Sequence, residues 1–572
     1  MRVEGVDGDL KRNVEALLSI RGVKNPSLEE ARQLHSQALE EIRRALEPFG
    51  YYRPRVESRL EKQENGDWLA RYRVIPGEPV RLEESDVRLS GPGANDPGFQ
   101  SLVRDFPLSQ GSVLDHQRYE AGKESLVTYA QRTGYLDGDF EAAEVRVNLE
   151  RYAANLDLAF TTGPQYRLGE VTFHQDFLNE NVVRGYVLWE PGDVFDYSRL
   201  LGLQRSLGDS PYFQRVEVEP RRAAASDERI VPIDVFLTPA RPQKWDLGLG
   251  YGTDTGPRFR ADLQLRRINR RGHRGHAILS VSSIERTFEG RYSIPGPYPR
   301  TDVLSFYAGY SLQEPDQSDS ESYLVGTSFT RSRGGWRESY GLGYERTNFT
   351  VGPDEGTARL LIPEVAWKRV EADDRLLPSE GYLAEIRLRG ADESVLSDAS
   401  FGQILTRAKG VYTVVEDVRV LGRLEVGRTF TGDLRQLPPS ARYFAGGDRS
   451  VRGYGYQDLA PSDPQCVAAA VAGGLDPAEQ DCLVGGKGLI TGGLEVDWLF
   501  FERWGRWGLA AFWDFGNALE DLALDDFGEL EQGAGVGLRW LSPVGLVRLD
   551  VAAAISRPGT PVRFHFSVGP DL

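Results

Sequence analysis

The groups best placed to do chemistry lie in the last quarter of the chain. A run of glycines, aromatics and arginines, Phe444-Ala445-Gly446-Gly447-Asp448-Arg449-Ser450-Val451-Arg452-Gly453-Tyr454-Gly455-Tyr456, interrupts a region that otherwise alternates apolar and polar residues. Period two applied downstream puts Glu495 and Asp497 on one face of the stretch Leu494 to Trp498. It likewise puts Phe512, Asp514 and Gly516 on one face of Leu509 to Asn517, and Gly533, Gly535, Gly537 and Arg539 on one face of Gly533 to Leu541. Glu495, Asp514 and a ring on a common wall admit two readings. A hydrolase would use Glu495 and Asp514 as acid and base, but no nucleophile–base set accompanies them. The other reading is an ion pair. The planar donors of Arg452 suit Glu495 and Asp514, Phe512 stacks on the guanidinium, and the glycines let the loop approach the wall closely. This reading accounts for both acids, so the chain is expected not to be an enzyme and to need no cofactor or metal.

Two further groups of residues invite a chemical reading. His273 and His276 lie in the basic turn Asn269-Arg270-Arg271-Gly272-His273-Arg274-Gly275-His276. Their spacing suits a helical turn better than a strand turn, and no carboxylate or cysteine cluster accompanies them. Contact with lipid phosphate or with the polar surface of the N-terminal modules is expected instead of metal. Cys466 and Cys482 fall in the same interruption as Arg452. Their pairing would close a small loop and implies an oxidising compartment. The net charge of -17 argues against nucleic acid, whose phosphates demand a basic face.

The elements that hold these groups change near Arg241. From Trp245 onward, about sixteen alternating segments of roughly ten residues have the length that a tilted membrane strand requires. Val562, Phe564, Phe566 and Val568 alternate with Arg563, His565 and Ser567; Val547, Leu549, Val551 and Ile555 oppose Arg548 and Asp550; Val418, Val420, Leu424 and Val426 oppose Arg419, Arg423 and Glu425. No apolar run is long enough for a membrane helix, and the mean hydropathy of -0.41 resembles that of a soluble protein, as alternating strands also would. Side chains fill a barrel of about eight strands, whereas about sixteen leave a wet lumen. Charges therefore belong inside and aliphatics outside, against lipid, and Trp498, Phe500, Phe501, Trp504 and Trp507 suit an interfacial belt. A soluble double sandwich is the alternative. The longest break in the pattern, about 432–486, is rich in glycine and aromatics and reads as an ordered inserted loop.

Before Arg241 similar cues recur about every 80 residues, which means three copies of one module. Each reads strand, helix, helix, strand, strand. Ser27 and Glu30 form a capping-box pattern ahead of a helix from Leu28 to Leu46, whose stripe is Leu28, Ala31, Leu34, Ala38, Leu39, Ile42, Ala45 and Leu46. Further helices are expected from about Leu114 to Arg132 and from Tyr197 to Leu207. Gly50-Tyr51-Tyr52, Gly134-Tyr135-Leu136 and Ser210-Pro211-Tyr212-Phe213 follow the three helices. No cleaved leader precedes the strand-like residues at Val3, so the numbering is expected to begin after its removal.

The repeats resemble POTRA domains, periplasmic modules whose small sheets keep an edge that can accept an incoming strand. The expected boundaries are 1–79, 80–164 and 165–241, with a barrel over 242–572. Together, Val451-Arg452-Gly453-Tyr454, Phe512-x-Asp514-x-Gly516, Gly533-x-Gly535-x-Gly537-x-Arg539 and Ser542-Pro543-x-Gly545 resemble the BamA superfamily of outer-membrane assembly barrels. The resemblance implies α+β POTRA repeats followed by a 16-stranded antiparallel transmembrane β-barrel. It also implies an arginine loop tucked inside and a weak lateral gate between the first and last strands. Three repeats and the ending His565-Phe566-Ser567-Val568-Gly569-Pro570-Asp571-Leu572 look most like the TamA branch. That likeness implies a TamB-like partner anchored in the inner membrane, unfolded outer-membrane clients of autotransporter type, contact with outer-membrane lipid and a monomeric barrel. It also places the POTRA repeats in the periplasm. A passive secretion pore, a two-partner secretion transporter or a phospholipid carrier are the alternatives. The chain departs from many outer-membrane proteins in lacking a final aromatic, which leaves Phe564 and Phe566 to serve. Gly569 and Pro570 would weaken the last strand, since proline cannot donate to a ladder. Gly248, Ser567 and these four residues mark the expected seam.

Overall fold

The computed structural model describes residues 1–572 apart from 24–25, 64–67, 316–317, 375–376, 474–481, 501–505, 523–527, 529, 543–544 and 569–572. Its N-terminal part builds the same unit three times. The first has β1 (Arg2–Glu4), α1 (Gly8–Leu17), α2 (Leu28–Leu46), β2 (Arg55–Lys62) and β3 (Trp68–Ile75). The second has β4 (Arg81–Ser90), α3 (Pro97–Arg104), α4 (His116–Arg132), β5 (Asp139–Asn148) and β6 (Ala153–Thr161). The third has β7 (Arg167–His174), α5 (Glu180–Arg184), α6 (Tyr197–Gly208), β8 (Phe213–Pro220) and β9 (Ile230–Pro239). In each sheet the last strand lies in the middle, parallel to the first and antiparallel to its hairpin partner. That topology leaves the first and second strands as edges.

Local signals explain these elements. The Ser27 hydroxyl accepts from the Glu30 amide while the Glu30 carboxylate accepts from the Ser27 amide, which caps α2. The helix buries Ala31, Ala38, Ile42, Ala45 and Leu46, in a core that includes Tyr72 and Val74 of β3. Leu28 and Leu39, expected on that stripe, are 48% and 37% exposed. The buried face is narrower than the apolar one, because α2 packs on a three-stranded sheet and a short α1.

The residue after the second helix joins the modules. Gly50 and Gly134 have φ of +84° and +86°, and a side chain at either would meet a backbone carbonyl of the next module. The Gly50 carbonyl accepts from the Val80 amide at 2.9 Å, and that of Gly134 from the Tyr166 amide at 2.7 Å. In the third copy the Tyr212 carbonyl accepts from Ala240 at 2.8 Å, where the chain enters the barrel.

The barrel strands are β10 (Gln243–Gly252), β11 (Gly256–Leu265), β12 (Arg274–Val281), β13 (Glu285–Pro295), β14 (Val303–Gln313), β15 (Ser318–Arg333), β16 (Trp336–Val351) and β17 (Asp354–Ala372). They continue as β18 (Glu380–Ala391), β19 (Phe401–Val415), β20 (Val418–Thr431), β21 (Gly488–Phe500), β22 (Arg506–Leu519), β23 (Glu531–Ser542), β24 (Gly545–Ala554) and β25 (Val562–Val568). Each pairs antiparallel with the next in chain order, giving one 16-stranded sheet. Among the described residues β10 and β25 share no backbone ladder. Parity is as read from the sequence: Leu494, Val496, Trp498, Leu549 and Val551 are outward and exposed, whereas Asp497, Asp514, Arg539 and Asp550 are inward and buried. Trp507 stacks on Trp540 at 5.4 Å; Phe501 and Trp504, expected beside it, lie outside the described residues.

Between β20 and β21 the chain folds back against the inner wall. Val451 and Tyr454 are fully buried in a cluster with Leu489, Ala518 and Ala554 of the strands. Arg442 anchors the base of the loop, donating to Asp354 at 2.8 Å and to the carbonyls of Leu437, Val484 and Arg435. Cys466 at the start of α7 (Pro464–Ala472) is disulfide-bonded to Cys482, with Cα atoms 5.5 Å apart. Leu549→Arg would put a charge on the lipid face and is expected to cost about 2–4 kcal/mol of barrel stability, read as a lower urea midpoint in vesicles.

Candidate functional site

The site is the inner wall of β20–β24 with the loop seated on it. The wall is built from alternation: on each strand every second residue faces in, and glycines there are spaced between charges. A Cβ at Gly533 would fall 1.9 Å from the Arg452 carbonyl, one at Gly535 2.6 Å from the Phe512 ring, and one at Gly537 1.9 Å from the Asp550 carboxylate. Gly493 on β21 leaves room in the same way for Asp514. Glycine is required at these positions because a loop backbone, a ring and carboxylates occupy the space that side chains would fill.

Arg452 sits over this trough. Its Nε donates to Asp514 Oδ2 at 2.6 Å and its Nη2 to Asp514 Oδ1 at 3.1 Å. Its Nη1 is shared between Glu495 Oε2 at 2.8 Å and Asp550 Oδ2 at 2.9 Å. The guanidinium carbon lies 3.5 Å from the Phe512 ring centroid. Arg539, fully buried, donates to Glu495 at 2.6 Å and Asp550 at 2.5 Å and pairs with Asp497 at 3.4 Å. Arg423 pairs with Asp514 at 2.8 Å and also donates to the loop carbonyls of Arg449 and Ser450. Arg419 pairs with Asp497 at 2.7 Å. Arg419, Arg423, Arg452 and Arg539 thus face Glu495, Asp497, Asp514 and Asp550, and the cluster is neutral as a whole. Such a set is tolerated in a dry wall because every charge has a partner; deleting one strands the others.

The residues named from the sequence divide as follows. Arg452, Glu495, Phe512, Asp514 and Arg539 come together. Tyr454 turns the other way, donating to Glu531 at 2.6 Å. Val451 packs, and Gly453, at φ +99°, brings the loop within contact of the β24 backbone at Ala553. Gly516 does not touch the loop; it lies against the β21 backbone, where a Cβ would be 2.5 Å from the Ile490 carbonyl. Asp550, Arg423 and the Arg419–Asp497 pair were missed as partners, although alternation had already set them on the inner parity. His273 bonds to the Tyr292 hydroxyl at 2.6 Å and His276 to Asp262 at 2.8 Å. Each imidazole thus has a separate partner within the barrel. The turn itself does meet the third module: Asn179 donates to the Arg270 carbonyl at 2.7 Å and Tyr212 to the Gly272 carbonyl at 2.5 Å. Of the seam residues, Gly248 lies on β10 opposite Arg260 of β11, Phe564 is 72% exposed, and Phe566 meets Tyr251 ring to ring at 6.3 Å. Ser567 pairs with Arg548 of β24. Gly569 and Pro570 lie outside the described residues.

Arg452→Ala is expected to destabilise the barrel by about 3–5 kcal/mol, because three buried carboxylates each lose one of their two cations. Arg452→Lys falls almost as far, since one ammonium cannot fork onto Asp514 and stack on Phe512. Gly533→Val should unseat the loop without deleting any charged group. Unfolding midpoints in vesicles and protease access to the loop report both effects.

A family model described as the Omp85 superfamily domain matches residues 268–571, and one described as POTRA domain TamA domain 1 matches residues 1–76. The outer membrane protein assembly factor BamA of Nitratidesulfovibrio vulgaris is 22% identical over 414 residues, covering 68% of this chain and 49% of that protein. BamA of Neisseria meningitidis serogroup B is 23% identical over 597 residues, covering 94% of this chain and 73% of that one. The chain therefore spans about half the length of the first relative and most of the second. In fold it is similar to the crystal structure of BamA from Haemophilus ducreyi lacking POTRA domains 1–3, with a TM-score of 0.69, 15% identity, and coverage of 86% and 99%. With the superfamily domain matching more than half its length and a TamA-type POTRA domain at its start, the chain belongs to the Omp85 superfamily.

Proposed function

We propose that the protein is an outer-membrane assembly and translocation factor that helps insert or secrete autotransporter-type β-barrel clients through the gap between β10 and β25. The observation that carries this reading is the missing ladder. Every other neighbouring pair of barrel strands forms a backbone ladder, whereas these two do not, among the described residues. An unpaired edge is costly to leave and able to template an incoming strand. β10 is suited to that role. Leu247 and Leu249 are 70% and 89% exposed, and Gly250 has open space beside it. The relatives named as assembly factors support the same reading.

The mechanism needs no covalent step. Client strands would pair with β10, and the edge strands of the POTRA sheets would hold unfolded segments before that. A TamB-like periplasmic protein anchored in the inner membrane is the proposed partner on those modules, with outer-membrane lipid around a monomeric barrel. The acids that a hydrolase would use are committed: Glu495 and Asp514 are each held by two arginines. A passive pore is disfavoured by the loop seated in the lumen.

The lock belongs where the strands meet. The Phe566 amide donates to Thr253 Oγ1 at 2.9 Å, so Thr253→Cys with Phe566→Cys should form a reducible bridge. Oxidised vesicles are expected to lose insertion of an unfolded barrel client, with recovery on mild reduction. Full activity of the bridged form would rule out the gate. Planar bilayers should show small, flickering currents; large steady conductance would favour a pore.

A further inference from the structure

The gap between the first and last strands is bridged by side chains, and most of them involve the loop. The Asp448 amide donates to Asp254 Oδ2 at 2.8 Å, where Asp254 lies in the turn that joins β10 to β11. The Asp448 carboxylate accepts from His565 Nδ1 of β25 at 2.6 Å. His565 Nε2 then accepts from the Gly453 amide at 2.9 Å. A backbone amide only donates, so Nε2 carries the lone pair and Nδ1 the hydrogen it donates to Asp448. The ring is 4% exposed. Gly447 makes the approach possible: at φ +96°, a Cβ there would lie 2.6 Å from the Asp254 carboxylate. The path runs from the first hairpin through the loop to the last strand, and returns to the loop one residue from Arg452.

We propose that Asp448 and His565 are positioning residues that latch the seam, so that it stays closed only while Arg452 is seated. The inference rests on the reading of the seam as the client path and adds how that path is held shut. With no ladder between β10 and β25, the loop supplies the bonds that a neighbouring strand would supply elsewhere. Lifting Arg452 from Asp514 moves Gly453 away from His565 and, with it, Asp448 away from Asp254. Loop insertion and gate closure are therefore one event, and a client strand that enters must displace a few side-chain bonds rather than a ladder. Asp254, Asp448 and His565 lie close enough together to suggest an ion site. Both ring nitrogens are already engaged, one of them by a backbone amide, and hydrogen bonds account for the geometry.

The test is a distance between spin labels on Leu249→Cys and Val568→Cys, one on each edge strand, in the full chain reconstituted into phosphatidylethanolamine–phosphatidylglycerol vesicles. His565→Ala should raise the open-to-closed ratio about tenfold, the weight of one charge-assisted hydrogen bond. Asp448→Ala, placed on the loop, reads the same quantity should the strand variant fail to insert. His565→Asn keeps a donor for Asp448 and His565→Gln an acceptor for Gly453, so each should open the seam less. Arg452→Ala, which touches neither edge strand, should open it as far as His565→Ala, and the double variant no further. An unchanged distance in both latch variants, additive effects in the double variant, or opening on chelation with EDTA would each overturn the latch. The measurement contains no client, so its failure leaves the assembly reading standing. Full activity of the bridged Thr253–Phe566 form would end that reading without altering these distances.

Discussion

A single guanidinium in the lumen sets the terms for the rest of the barrel. Arg452 comes from a loop, yet its three carboxylate partners come from β21, β22 and β24. Each acid has a second arginine, Arg423 or Arg539, but the Arg452 guanidinium could not leave water without these acids. Arg423, Arg539 and Arg419 extend the same bargain across β20 and β23. Removing a charged partner therefore costs more than forming the cluster gained. The loop is held by that asymmetry as much as by the cluster around Val451 and Tyr454.

The glycines are the steric counterpart of the charges. A wall that must hold a loop backbone, a ring and long side chains at close range needs positions without a Cβ, and Gly533, Gly535, Gly537 and Gly493 supply them next to the groups they accommodate. The consequence reaches beyond packing. A wide barrel with an empty lumen conducts; here the wall grips an inserted loop. At the seam the bonds among the described residues come from side chains and the loop, so in the proposed gate opening costs less than unzipping a ladder.

The N-terminal modules show how repetition of sequence becomes repetition of junctions. The same element order recurs three times, and in two copies a glycine after the second helix offers its carbonyl to the start of the next module. The third copy uses Tyr212 for that bond because its neighbour is the barrel. A turn with φ above zero marks the places where chain direction, and not side-chain chemistry, is the constraint.

Much of this was legible from the amino acids. Alternation assigned the inner and outer faces of β21–β24, because a strand's side-chain period is fixed by its backbone and admits no third face. A capping box and an apolar stripe located α2, the repeating order of cues located its two counterparts, and the arginine, acid, ring and glycine motif placed Arg452 among Glu495, Asp514 and Phe512. The sequence did not single out Asp550 among several inward acids, Arg423 as a second holder of Asp514, or the path from Asp254 through Asp448 to His565. Parity says which way a residue points, but contact across strands depends on register, twist and the depth to which a loop is inserted. Those are properties of the closed sheet. Facing and chemistry were determined one residue at a time by the chain itself; which charges meet, and that loop and seam share one set of bonds, was decided only when distant strands were brought side by side.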